Sequence, residues 1–134
     1  IQTTVIFLIA FLLGARLYSP SQLLVTYLIL FIFGGLLSSA ATTLAIFVGE
    51  HDQYSAVNSM VTMPIFFTST AMMPYDQMPE WLRAIAHINP LSYAIDGIRL
   101  VADGSIPFVQ IGVLFALFIA VLTISVHVFR KTGL

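Results

Sequence analysis

Cysteine is absent from the 134 residues, which excludes disulfides and thiolate metal sites. Charge is scarce as well. Only 8% of residues are Asp, Glu, Lys or Arg, where soluble domains carry about a quarter, so composition argues against a water-soluble fold. The formal net charge of −1 gives no basic surface for nucleic acid. Lysine occurs once, at Lys131, behind Phe129-Arg130 instead of a glycine-rich turn, so no phosphate-binding loop can form and the chain does not itself hydrolyse ATP. The three histidines, His51, His87 and His127, stand in separate segments without the spacing of a helical zinc pair, and no serine lies in a Gly-x-Ser-x-Gly turn.

What fills the chain is hydrocarbon: 59% of residues are hydrophobic and the mean hydropathy is +1.00. The uncharged runs predict an all-α polytopic membrane protein with four transmembrane helices, over about 1–18, 22–48, 57–73 and 108–129. The first run is short, about 22 Å of helix before Arg16, with Arg16 and Tyr18 in an interfacial turn. Because the chain enters an apolar run directly from Ile1, we read it as the C-terminal part of a longer membrane protein.

The second run carries small residues at intervals of four, as in Gly34-Ser38-Thr42 and Gly35-Ser39-Thr43, ladders that admit a close helix or line a pathway. The third run holds Pro64 inside it, expected to kink the helix, with Thr62, Phe66, Phe67 and Thr68 as candidate pathway residues. Between the second and third, Glu50, His51 and Asp52 read as a solvated loop on the same side as the C-terminus, since consecutive residues are a weak ligand pattern and no second cluster completes a coordination sphere. Arg130-Lys131 close the last run and favour a cytoplasmic C-terminus, although the basic residues as a set do not orient the chain.

Residues 76–103 break the pattern. Met78, Trp81, Leu82 and Ile85 recur at helical spacing, with Glu80, Arg83 and His87 opposite. Asn89-Pro90 ends that helix, because a proline disfavours helical dihedrals at the residue before it. A second arm follows, Leu91, Ala94, Ile95 and Ile98 against Ser92, Asp96 and Arg99. Asp96 and Arg99 are three apart and can pair. Each arm is too short to cross a bilayer, so the two form a short amphipathic hairpin that is interfacial or re-entrant, with Trp81 and Tyr93 suited to the boundary.

The run Pro64-Ile-Phe-Phe-Thr-Ser-Thr-Ala-Met-Met-Pro74, then Pro79-Glu-Trp81-Leu82, then Asn89-Pro90-Leu-Ser-Tyr93-Ala-Ile-Asp96-Gly-Ile-Arg99 resembles the permeases of type-2 ABC exporters, the daunorubicin-resistance-like and nodulation lipo-oligosaccharide-like membrane subunits. The resemblance implies a partial ABC type-2 transmembrane domain over 1–134, the last four of six helices. It implies a hairpin at the outer leaflet acting as an outer gate, two permease subunits (homo- or heterodimer) in the cell membrane, and a separate ABC ATPase subunit that binds ATP and Mg. The function it implies is export of an amphipathic drug, lipid or glycolipid. No cofactor is expected in this chain. Two other classes stand beside it. An ion-coupled secondary transporter would want an acidic residue within a span, and every Asp and Glu lies outside the predicted spans. A membrane-embedded enzyme would have to use Glu50, His51, Asp52 or the polar side of the hairpin.

Overall fold

Long uncharged runs give the two longest helices, α2 (Pro20–Val48, 29 residues) and α6 (Phe108–Thr132, 25 residues), each opened by a proline at or just before its first residue. The computed structural model describes residues 2–12, 19–48 and 51–132. Its other elements are α1 (Gln2–Leu12), α3 (His51–Phe67), a single 3₁₀ turn (Tyr75–Gln77), α4 (Glu80–Ile88) and α5 (Pro90–Ala102). The described residues contain no strand. By length and composition two helices, α2 and α6, can cross a bilayer.

The core sits where α2, α5 and α6 meet, at Ile29, Ile32, Ala94, Val101 and Leu114. Gly35 lies against Phe118, and a Cβ on it would come within 2.9 Å of the ring, so glycine sets how closely α2 and α6 approach. The pairings Ile29 with Leu114 and Gly35 with Phe118 advance together, so α2 and α6 run in parallel. α5 runs the other way along α2. Leu91 shares a cleft with Phe33 and Leu37, Gly97 faces Ile29, and the Val101 carbonyl accepts from Gln22 Nε2 at 2.9 Å. Between Gln22 and Leu37 α2 rises about 22 Å, so α5 lies lengthwise beside half of α2.

Three boundaries differ from those expected. α3 begins at His51, so residues 51–55 are helical where a loop was expected. α3 also stops at Phe67 and not at Met73, with turns from Thr68 to Ser69 onward. The first arm begins at Glu80, after the 3₁₀ turn. The interfacial turn with Arg16 and Tyr18 lies outside the described residues, as does Glu50; the side chains of His51 and Asp52 are also outside them.

Candidate functional site

The carbonyl end of α3 and the tip of the hairpin meet, and the residues that join them are polar. Asn89 has extended dihedrals (φ −73°, ψ 119°), caps α5 by accepting from Leu91 N–H at 2.9 Å, and places Pro90 at the first helical position. Its amide then reaches across to α3, donating to the Ile65 carbonyl at 2.6 Å and to Thr68 Oγ1 at 3.0 Å. α3 needs this partner. The Ser69 N–H that would close an α-helical bond to Ile65 goes to the Phe66 carbonyl at 3.3 Å, and the Thr68 N–H and hydroxyl both go to Pro64. Orphan carbonyls at a helix end call for outside donors, and Asn89 is one.

The turn that follows is bound to α5. Ser69 and Thr70 are fully buried. Thr70 N–H donates to Ser92 Oγ (3.2 Å), its hydroxyl donates to Asp96 Oδ1 (2.9 Å), and its carbonyl accepts from Arg99 Nη2 (2.9 Å). Arg99 Nη1 stands 3.8 Å from Asp96 Oδ1, so the expected pair is present and is shared with Thr70. Non-helical backbone among apolar helices must find partners in protein, and here α5 supplies them. Ser92 is fully buried and Asp96 part-buried, both turned toward Thr70.

The first arm is tied less firmly. Arg83 donates from Nε to the Tyr75 carbonyl (3.0 Å) and from Nη2 to that of Met78 (3.2 Å), while the His87 ring stacks on Tyr75 at 4.5 Å. Tyr93 OH donates to the His87 carbonyl at 2.8 Å. The Tyr75 hydroxyl is pushed up to about 12, first by burial and then by the neighbouring Asp96 carboxylate. The apolar set expected on one face of α4 is split. Met78 is buried and Leu82 half-buried, but Trp81 is 66% exposed and Ile88 79% exposed, with Ile85 beside them. Pro74 and Pro79 flank the 3₁₀ turn in extended conformation.

The remaining candidates divide. Thr62 and Phe66 line a cleft of about 550 Å³ between α2 and α3, walled on the other side by Phe33, Leu37, Ala40, Ala41 and Leu44 and closed at one end by Leu91. Phe67 is not among the lining residues and packs edge-to-face on Phe66 at 5.8 Å. Thr68 belongs to the junction with Asn89, and Pro64 is exposed within α3. Gly34, Ser38 and Thr42 are all exposed on α2; no atom lies within 4 Å of a Cβ built on Gly34, and Thr42 returns its hydroxyl to the Ser38 carbonyl. That ladder makes no packing contact inside the described chain, whereas the one through Gly35 does. Among the described residues no three His, Asp or Glu side chains gather as metal ligands. Sequence reasoning missed Tyr54 and Asn58. Tyr54, Asn58 and Thr62 recur every four residues, a signal hidden because Tyr54 fell in the supposed loop.

The described residues form an apolar, helical structure with a broken hairpin locked to a shortened helix, and the comparison with known proteins gives its class. The chain belongs to the ABC-2 type transporter family, whose pattern it matches over residues 1–102. It is 35% identical over 105 residues to the transport permease ycf38 of Cyanophora paradoxa, covering 78% of this chain and 36% of that protein. It is 36% identical over 91 residues to its counterpart in Porphyra purpurea, covering 68% and 31%. To the daunorubicin resistance ABC transporter permease protein of Streptomyces coeruleorubidus it is 29% identical over 85 residues, covering 63% and 30%. The matched stretch thus spans about a third of each of these relatives. No solved structure matches the chain.

Proposed function

We propose that the chain is part of the membrane-spanning subunit of an ATP-driven exporter that moves an amphipathic drug, lipid or glycolipid across the cell membrane. In this reading four segments cross, with α1 and α3 joining α2 and α6. The hairpin enters from the outer side, and the C-terminus, with Arg130 and Lys131, is cytoplasmic. A second permease subunit completes the pathway. A separate ABC ATPase binds ATP and Mg and drives alternating access, with no hydrolysis in this chain.

The observation that carries the reading is the head-on junction of α3 with the Asn89 tip, well down the length of α2. Two elements that end part-way and are sealed to each other by hydrogen bonds make a closure, not a continuous wall. Within it α5 acts as the fixed post, because Ala94 and Val101 are locked into the core with Ile29 and Leu114. The arm that can swing is α4, held mainly by Arg83 and the His87–Tyr75 stack. The test is reconstitution of the full-length permease with its cognate ATPase in proteoliposomes. We expect ATP-dependent movement of an amphiphile, and its loss when a cysteine pair fixes α4 to α5. No ATP-dependent movement of any amphiphile would overturn the exporter reading; unimpaired export with α4 fixed would overturn the gate.

A further inference from the structure

The cleft between α2 and α3 has two unlike walls. The α2 wall, with Leu37, Ala41 and Leu44 along it, is hydrocarbon. The α3 wall presents Tyr54, Asn58 and Thr62, one residue per turn, a straight polar row about 12 Å long. None of these three side chains has a hydrogen-bond partner among the described residues. The contrast with neighbouring hydroxyls is informative: Thr42, Ser59 and Thr123 return theirs to the carbonyl four residues back. Thr62 makes no such return bond.

Tyr54 and Asn58 are half-buried and Thr62 is exposed; with α3 in the bilayer, as the exporter reading has it, an amide and two hydroxyls without partners would be costly, which favours an occupant that supplies hydrogen-bonding groups along one edge. Among the described residues no Asp, Glu, Lys, Arg or His lines the cleft. A charged group entering it would therefore lose its hydration with no ion to replace it. The volume, about 550 Å³, falls in the range of small-molecule sites. From these features we infer that the cleft is a binding station for an uncharged membrane amphiphile, its acyl chain on the α2 wall and its hydroxyl or amide groups on the row Tyr54, Asn58 and Thr62. This rests on the exporter reading for its purpose, but the binding itself does not need ATP.

The test uses the full-length permease with its ATPase in proteoliposomes and a photo-crosslinking dialkyl glucoside, compared with the same dialkyl probe bearing a phosphate. We expect saturable labelling of residues 37–44 and 51–66 by the glucoside, and labelling by the phosphate probe at least about ten-fold weaker. Asn58→Leu should raise the half-saturating glucoside concentration by about ten-fold, the loss of one hydrogen bond. Ala41→Trp, which fills the cleft, should abolish labelling there. Equal labelling by both probes would mean ordinary lipid contact and would overturn the inference. So would undiminished labelling of an assembled Ala41→Trp protein. An Ala41→Trp protein that fails to assemble while Asn58→Leu labels like the parent also overturns it, because the cleft is then a seam for another segment. Labelling that persists without ATP-driven movement of any amphiphile sinks the exporter reading and leaves the station standing.

Discussion

Replacing Asn89 separates two roles that the residue combines. Its side chain caps α5 through Oδ1 and tethers α3 through Nδ2, and the residue is only 6% exposed, so water cannot replace either contact. Asn89→Ala loses a cap, about 1 kcal/mol, and two donated hydrogen bonds of about 0.5–1.5 kcal/mol each, in total about 2–4 kcal/mol. Asn89→Asp is the discriminating variant, since Asp caps a helix as well as Asn does. If capping were the whole role, Asp would be harmless. The tether predicts otherwise, because a carboxylate oxygen would face the Ile65 carbonyl, acceptor against acceptor, and Asp should cost at least as much as Ala. Hydrogen exchange of residues 68–79 in the full-length protein reads this locally, with protection falling on the order of 30- to 1,000-fold for both variants. Parent-like protection in Asn89→Asp would refute the argument that the hairpin tip holds the end of α3.

Three further outcomes follow from the packing and the charges. A Cβ on Gly97 would sit 3.1 Å from Ile29 Cδ1 and 3.4 Å from Gln110 Cβ, so Gly97→Ala should be nearly neutral while Gly97→Val costs about 1–3 kcal/mol by thermal unfolding. Tyr75 holds its proton more tightly when folded, so between its ordinary value near 10 and about 12 the unfolded chain ionises first. Stability contributed there is full below pH 10 and falls as pH rises, and Tyr75→Phe should flatten that slope in a pH series of unfolding temperatures. Trp81, the sole tryptophan of this sequence, should be quenched by brominated lipid in a full-length protein from which other tryptophans are removed; quenching by aqueous iodide alone would place α4 in water.

Local chemistry was legible in the sequence, and tertiary chemistry was not. The break at Asn89-Pro90 is written in two adjacent residues, and it falls where expected, between α4 and α5. The long helices follow from uncharged runs, and the family from the motifs around Pro64, Trp81 and Asn89. The end of α3 could not be read, because nothing in Thr68-Ser69-Thr70-Ala71-Met72 stops a helix by itself; the stop is made by Asn89 and Ser92, more than twenty residues away. The same distance hid what the polar side of α5 serves: Ser92, Asp96 and Arg99 mark it at helical spacing, and their shared partner is Thr70, through its N–H, hydroxyl and carbonyl.

That partnership also limits how a closure at this place can move. Sliding α5 away from α3 would strip donors from the Ile65 and Thr70 carbonyls and leave Thr70 N–H, which is fully buried, without Ser92. Three net hydrogen bonds lost together cost about 3 kcal/mol, and more if the freed groups stay dry. α5 would also have to leave the contact that Ala94 and Val101 make with Ile29 and Leu114. α4 faces a smaller penalty, since Arg83 and His87 are exposed and can trade their contacts for water and Trp81, Ile85 and Ile88 already point away from the chain, which leaves the small side chain of Ala86 as the buried contact to give up. Motion at the hairpin is therefore cheapest as a hinge at Asn89, with α3 and α5 travelling as one body and the first arm turning against them.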